Sequence, residues 1–338
     1  MTIRVGVVGG AYGATSHLPT FAALPAYDVV AVATGRQSTA DAVAARFGVR
    51  PVVGYEALCA DPDVDLVCVV TRPSRHEEMV LAAAAAGKHV FCEAPLAMSV
   101  ASGERMAGAV ATAGVVGVVG MQSRFSAGVW QLRELVRSGW LGTVENVAAT
   151  AFYPTFTRPE AVAGSGWCAD ARNGASSLRV HGLQTADVVR WMLGEFTDVS
   201  GVAATRRAKW PGGAPATSVD SAVVAGLVGG APCSIHTSWV AGFGGGWRLE
   251  LHGSAGRLVA TADGHTGHFP VTVSADRQLP DHTPEPRHAI APEAPNYGLA
   301  GLLCRLADVL EGKPDEDLPT FADGQAMLRI ATAVDGLG

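Results

Sequence analysis

Arg4-Val5-Gly6-Val7-Val8-Gly9-Gly10-Ala11-Tyr12-Gly13-Ala14 is the stretch of sequence that decides the predicted fold. An apolar strand, Arg4–Val8, leads directly into a turn of small residues, and a helical stretch follows from His17. Small residues allow a tight turn and let backbone N–H groups approach a pyrophosphate at the N-terminus of the helix. Ala11 and Ala14 replace two glycines of the GxGxxG pattern, so the motif is degenerate. Its place in the first strand–helix turn still favours dinucleotide binding.

Strands and helices alternate from this turn to about Gln122. The predicted strands are Arg4–Val8, Val29–Ala33, Leu66–Val70, His89–Cys92 and Val115–Val119, and the predicted helices are His17–Leu24, Thr39–Phe47 and Glu77–Ala86. The strands are short and apolar throughout, which is typical of strands buried on both faces. Alternation at this spacing predicts right-handed βαβ units. We therefore expect an α/β fold that begins with a doubly wound, parallel Rossmann domain over residues 1–122.

The pattern changes after Met121, where runs of strands replace the alternation. The predicted strands are Val144–Phe152, Ser218–Val228, Pro232–Trp239, Trp247–His252 and Gly256–Ala262, and the predicted helices are Gln131–Ser138, Leu183–Leu193, Leu299–Leu310 and Phe321–Val334. Such runs predict an α+β domain with a large, open, mostly antiparallel sheet and helices on one face. We assign residues 123–338 to this substrate and oligomerisation domain. Gln278–Pro295, rich in proline and charge, is expected to be an exposed loop.

Composition argues against several functional classes. Of the 338 residues, 48% are hydrophobic and 17% are charged, so there is enough apolar material for two hydrophobic cores. The net charge is −6 and no basic run is present, so no nucleic acid is expected as a partner. Apolar stretches end well short of the ~18–20 residues that span a bilayer. With no signal-peptide pattern, a cytoplasmic protein without a membrane segment is expected. The six cysteines form no CxxC and no zinc-type spacing with histidine, so no metal site is expected.

The end of the second strand indicates the type of cofactor. An acid there bonds the ribose 2′-OH of NAD, whereas an arginine accommodates the 2′-phosphate of NADP. The sequence has Thr34-Gly35-Arg36 and no acid. This favours NADP, with NAD as the alternative, although a solvated surface arginine would give the same pattern.

Several stretches resemble the Gfo/Idh/MocA oxidoreductase family along nearly the whole chain. They are Gly9–Ala14 with His17, Thr71–His76, Ala86–Pro95, Gly139–Gly142, Gly174–Asp187 and Phe321–Gly324. The resemblance implies NAD(P)-dependent redox chemistry on sugars, cyclitols and related small molecules, in dimers or tetramers. The cofactor-binding residues that we predict from the turn, the second strand and this resemblance are Gly9, Gly10, Ala11, Tyr12, Gly13, Thr34, Arg36, Thr71, Arg72, Pro73, His76, Glu93 and Ala94.

The chain departs from this family at its catalytic positions. The family's Glu-Lys-Pro motif is Glu93-Ala94-Pro95 here, so the lysine that helps to polarise the reacting oxygen is missing. Of the three lysines, Lys88 lies nearest in sequence and is expected at the surface. The aspartate and histidine of the second motif fall on Val180 and Gln184, while Asp187 matches a later, structural aspartate. A branch related to the fungal galactose-pathway repressor, which the chain also resembles, likewise replaces the lysine.

Three residues remain as catalytic candidates: His181, Gln184 and Glu93. His181 lies beside the vacated Val180 position, and a histidine with a pKa near neutrality suits acid–base work; local packing is the alternative. Gln184 could hydrogen-bond a substrate oxygen, and Glu93 could be an acid or a structural group. We also considered Arg124, Arg179, Tyr153 and Trp167 as pocket residues, with packing or surface roles favoured.

The favoured function is an NAD(P)-dependent oxidoreductase that acts on a small sugar-like, carbonyl or imine substrate through an atypical active site. Reduction of an imine or activated carbonyl needs less catalytic assistance than oxidation of an alcohol, because the carbon that receives the hydride is already electrophilic. The alternatives are a cofactor-binding sensor or regulator, and a lyase, hydratase or cyclase that uses the same pocket. The expected partners are a small-molecule substrate and other copies of the same chain, which would form a homodimer or homotetramer.

Overall fold

The first sheet is a parallel sheet of six strands in a computed structural model that describes residues 2–213, 215–281, 290–291, 294 and 296–336. Its strands are β1 (Ile3–Val8), β2 (Tyr27–Thr34), β3 (Arg50–Val53), β4 (Leu66–Val69), β5 (His89–Cys92) and β6 (Gly117–Val119). They lie in the order β3-β2-β1-β4-β5-β6, all parallel, which confirms the Rossmann prediction. β4 is buried at every position, as expected for a strand covered on both faces.

The helices of the first sheet are α1 (Leu18–Ala22), α2 (Gln37–Phe47), α3 (Tyr55–Cys59), α4 (His76–Ala85) and α5 (Val100–Ala113). The first helix differs from the prediction, because a π-helical turn, Gly13–His17, precedes α1. β3, α3 and α5 were not predicted from the sequence. β3 is an exposed edge strand that contains Pro51, and proline is tolerated at a sheet edge although it weakens a strand pattern.

The second sheet has seven strands in the order β13-β12-β11-β7-β10-β9-β8. Its elements are α6 (Ala127–Arg137), β7 (Val144–Phe152), α7 (Pro159–Ser165), α8 (Leu183–Leu193), β8 (Phe196–Ala204), β9 (Ser221–Val228), β10 (Ala231–Ser238), β11 (Gly246–Gly253), β12 (Gly256–Ala262) and β13 (Thr272–Ala275). The neighbours β7 and β10 are parallel and all other pairs are antiparallel, which confirms the mostly antiparallel prediction. The missed strands β8 and β13 are the two edges, where exposed residues weaken the apolar pattern.

Two C-terminal helices, α9 (Tyr297–Leu310) and α10 (Phe321–Asp335), tie the sheets together. α9 follows the second sheet in sequence but packs in the core of the first, and Tyr27 donates a 2.6 Å hydrogen bond to the carbonyl of Leu303. α10 contacts both α5 and β8. The predicted loop Gln278–Pro295 lies mostly outside the described residues.

A buried ion-pair network joins the segment after β6 to α8 and α10. The Arg124 guanidinium donates to both Asp187 oxygens, at 2.7 and 2.6 Å, and to Asp323 at 2.8 Å. Burial opposes ionisation of Asp323, but Arg124 and Arg190 outweigh it and lower its pKa to about 2. Arg179 is also buried, paired with Asp335. These arginines are therefore structural, as the sequence favoured.

No helix in the described part of the chain is long and apolar enough to cross a membrane.

Candidate active site

A cavity of about 1360 Å³ lies at the carboxyl ends of the first sheet's strands, where the second domain covers them. Its walls come from the turns that follow β1, β2, β4 and β5, and from the segments around His181, Trp239 and His265. Ligands of open α/β sheets bind at this edge. The volume exceeds the ~300–1,000 Å³ of an ordinary small-molecule pocket, so there is room for a dinucleotide and a second small ligand.

The turn after β1 is shaped for close backbone approach. Gly9 has φ +127°, and a Cβ on it would lie 2.0 Å from the carbonyl oxygen of Val70, so a side chain is excluded. Gly9, Gly10, Ala11 and Tyr12, four of the predicted cofactor-binding residues, line the cavity. Gly13 does not. It packs against Val7 and Val70 and thereby seats the first helical turn on the sheet, so its predicted contact with the cofactor is corrected to a supporting role.

The end of β2 forms the far end of the cavity. Thr34 and Arg36 line it, and Arg36 immediately precedes α2 with no ion pair to any described residue. Tyr55 and Glu56 of α3 line the same end. This pair was not predicted, because β3 and α3 were not predicted. The glycine at position 54 was the signal in the sequence, since it stands at the turn before α3, where its φ is +83°.

The segment after β4 lies between the two domains. Thr71, Arg72 and Pro73, three of the predicted cofactor-binding residues, line the cavity, and Arg72 donates a 3.3 Å hydrogen bond to Asn173 of the second domain. His76 does not line the cavity, so its predicted contact with the cofactor is corrected. Its fully buried ring lies 3.1–3.2 Å from the carbonyl oxygens of Thr71, Pro95 and Leu96, which fastens the two cofactor-facing segments together.

The segment after β5 has no cation at the reacting end of the cavity. Glu93 and Ala94 line it, and a Glu93 oxygen lies 2.8 Å from His17 Nε2 in a buried pair. Lys88 lies at the opposite end of β5, where its ammonium donates to the carbonyls of Asp61 and Val64, both at 2.8 Å. No lysine is among the described residues that line the cavity.

Three histidines meet on the second-domain side of the cavity. The rings of His181 and His265 are 5.1 Å apart, and those of His265 and His268 are 5.3 Å apart. His268 Nε2 lies 2.9 Å from the Tyr12 hydroxyl across the two domains. His265 and His268 were not predicted as site residues. The signal was a His-x-x-His spacing in a glycine-containing turn directly after β12.

His181 is neutral near physiological pH. It lies in a π-helical turn, Ser177–Gly182, and not on the α-helix that begins at Leu183. Burial, together with the neighbouring His268, lowers the pKa of His181 to about 3. The expectation of a pKa near neutrality was therefore wrong, because desolvation disfavours the imidazolium. Burial also lowers the pKa of His265.

Gln184 lines the cavity, but its amide is engaged with backbone. It donates to the Gly120 carbonyl at 2.7 Å and accepts from the Ser123 N–H at 3.4 Å. These bonds hold α8 against the segment after β6, so the main role of Gln184 in this structure is positional. Val180 lines the cavity as an aliphatic side chain.

The geometry offers neutral hydrogen-bonding groups in place of a lysine. No group of three or more His, Cys, Asp or Glu side chains in the described chain is placed to hold a metal. The second-domain wall presents imidazole groups, and Tyr12 of the first domain adds a phenol; both kinds of group donate and accept hydrogen bonds. Such a wall can orient a polar substrate and exchange a proton with it.

Comparison with known proteins points to one family. A model described as an oxidoreductase family with an NAD-binding Rossmann fold, GFO/IDH/MocA, matches residues 3–121, and the GFO/IDH/MocA C-terminal domain model matches residues 129–259. The chain is 29% identical to a myo-inositol 2-dehydrogenase from Thermotoga maritima over 76% of its own length and 75% of the relative. Across five curated relatives, the match covers 47% to 81% of the relative's length.

Solved structures share the whole fold. An oxidoreductase domain protein from Kribbella flavida is similar with a TM-score of 0.86 and 27% identity, over 99% of this chain and 97% of that one. A super-repressor mutant of Gal80p from Saccharomyces cerevisiae gives a TM-score of 0.87 over 99% of this chain and 96% of that one. At 18% identity, this second likeness concerns the fold alone.

Gly9→Ala should weaken binding of reduced nicotinamide cofactors by about tenfold or more, or roughly 1.4 kcal/mol, because the added Cβ displaces the turn from Val70. Gly35→Ala is the matched control, since a Cβ there meets nothing within 4 Å on the same cavity. Fluorescence titration with NADPH and NADH measures both. Equal affinities in the two variants would contradict the assignment of this turn.

Proposed function

Because the chain belongs to the Gfo/Idh/MocA oxidoreductase family, we propose that it is an NAD(P)-dependent oxidoreductase acting on a small sugar-like, carbonyl or imine substrate through an atypical site. The observation that carries the proposal is the cavity itself. It runs from a Gly9 turn that admits no side chain to a histidine-lined wall in the second domain. Backbone N–H groups at such a turn suit a pyrophosphate.

A bound nicotinamide cofactor supplies or accepts the hydride. The protein must then orient the substrate and move the accompanying proton. Tyr12 and His268, 2.9 Å apart at the cavity, can exchange a proton because each group both donates and accepts. Glu93, paired with His17 behind Ala94, places a carboxyl group near the reacting end of the cavity.

The missing cation favours substrates that are already electrophilic. Ala94 and Val180 put aliphatic groups where the family has a lysine and an aspartate, so an alcohol would receive little help in losing its proton. An imine or an activated carbonyl needs less assistance. This is our reason for preferring the reductive direction. A cofactor-binding regulator, or a lyase or cyclase, is the function that remains if no hydride transfer occurs.

The experiment is a turnover screen with the purified protein. Cyclic polyols and aldoses are tested with the oxidised cofactors, and ketoses, activated ketones and cyclic imines with the reduced ones, by nicotinamide absorbance. Turnover should be found in the reductive set, and His268→Gln should lower kcat by about 10²-fold or more. His252→Gln, on the partly exposed His252 ring, is the control and should not change kcat. Cofactor binding without turnover in either set would favour the regulator.

We propose NADP(H) as the preferred cofactor. Arg36 lines the cavity without an ion-pair partner among the described residues, and no acid follows β2. Arg36 and the first N–H groups of α2 could bind a 2′-phosphate. Glu56, at the same end of the cavity, is an acid that would suit a ribose hydroxyl instead.

Arg36→Ala should weaken NADPH binding by about tenfold or more and leave NADH binding unchanged, because a charge-assisted hydrogen bond contributes ~1.5–3 kcal/mol. Arg46→Ala, on the exposed side of the same helix, is the matched control. Glu56→Gln should not weaken NADH binding. Calorimetric titration measures all three, and a loss of NADH affinity in Glu56→Gln would instead identify an NAD-type acid.

We also propose a homo-oligomer formed through the outer face of the second sheet. At the centre of that face, Ser234 lies between its register partners Ala148 and Ala225, so a row of small side chains offers a flat surface. Light scattering should give at least twice the 34.7 kDa chain mass. Ser234→Lys should shift the mass towards the monomer, whereas Ala113→Lys, at an exposed position near the end of α5, should not. A monomer in the wild type would overturn this proposal.

A further inference from the structure

The hydrogen bond between His181 and Trp239 defines the protonation of the imidazole. The indole Nε1 of Trp239 lies 2.6 Å from His181 Nδ1. An indole N–H can only donate, so Nδ1 must accept and carries no proton. In the neutral ring the proton is therefore on Nε2. This tautomer is assigned from the hydrogen bond, because the Trp239 indole can only donate.

Nε2 is the nitrogen left for a ligand. His181 lines the cavity, and no described protein group accepts a hydrogen bond from Nε2. The ring is held by an edge contact with Tyr153 at 4.5 Å between centroids and by Trp239 at 5.7 Å. The enclosed position therefore presents one N–H donor in a fixed direction.

The groups around His181 do not favour a charged ring. The titratable neighbours are Tyr153 after β7 and His265 and His268 after β12, and none of them supplies a negative charge at neutral pH. A second proton would have to sit on Nδ1, where it would displace the indole N–H. Both effects oppose the imidazolium.

Trp239 is itself immobilised. Its side chain is 2% exposed, and its ring meets Phe156 at 4.8 Å and Trp210 at 6.2 Å between centroids. Its backbone N–H donates to the Asp220 carbonyl at 2.8 Å, and its carbonyl accepts from Phe156 at 3.1 Å. Contacts within the protein therefore hold the indole N–H towards His181, and they do not depend on a ligand.

We infer that Trp239 is a positioning residue that fixes His181 as a neutral Nε2–H donor, and that His181 polarises the substrate oxygen or nitrogen in place of a lysine. This rests on the proposed function. A reduced nicotinamide, when bound, would supply the hydride to the carbon of the C=O or C=N bond and would itself be oxidised. The heteroatom takes its proton from solvent through the Tyr12–His268 pair. His181 donates a hydrogen bond throughout and neither gains nor loses a proton.

The test is nitrogen NMR of ¹⁵N-histidine-labelled protein, with the His181 signals identified by their loss in His181→Gln. In the wild type, His181 should show the Nε2–H tautomer alone and should not titrate between about pH 5 and 8. Trp239→Phe keeps a ring but removes the donor, so a mixture of tautomers should appear. Trp210→Phe is the matched control, because Trp210 Nε1 is buried without a hydrogen-bond partner among the described residues. An Nδ1–H tautomer or a titrating His181 in the wild type would overturn the inference.

Kinetics of the same variants test the role in the reaction. Trp239→Phe should lower kcat about tenfold or more with little change in KM, because part of the His181 population then carries its proton on Nδ1 and presents no donor to the substrate. Trp210→Phe should leave kcat unchanged. Equal kinetics in the two variants would overturn the polarising role. Absence of turnover even in the wild type would reject the proposed function, while the wild-type NMR spectrum would still decide the tautomer.

Discussion

The buried contact of Arg124 with Asp187 and Asp323 is the interaction on which the rest of the structure depends. It joins the segment that leaves the first sheet to α8 and α10 of the second domain. Removing one partner of such a pair typically costs ~3–5 kcal/mol, because the other charge is left buried. The same α8 carries Gln184, whose amide bonds Gly120 and Ser123. The wall that holds His181 is thus fixed against the strand ends that hold the cofactor turn.

The site that results relies on desolvation more than on charge. Its reacting end has aliphatic side chains at Ala94 and Val180, and burial lowers the pKa values of His181 and His265. A neutral donor in a buried position can stabilise a developing negative charge without carrying a charge of its own. Such a site suits substrates whose electrophile is already polarised.

The sequence predicted what depends on neighbours in the chain. β1, β4 and β5 were predicted because they are apolar on both faces, and the predicted site residues Glu93 and Arg36, which follow strands, line the cavity. The edge strands were missed because partial exposure blurs their pattern. The protonation of His181 could not be predicted, because it depends on the hydrogen bond from Trp239. The contact between Tyr12 and His268 could not be predicted either, because the two residues are 256 positions apart in the sequence. Such contacts exist only after the two domains are assembled.

The most direct test of an oxidoreductase that works without the family lysine is isotope transfer. NADPH deuterated at the transferable position of its nicotinamide would be incubated with the wild-type protein and the reductive substrate set, and the products analysed by mass spectrometry. The account predicts one deuterium on the former carbonyl or imine carbon, delivered from one face of the nicotinamide only. Tight NADPH binding with no deuterium in any product would contradict it.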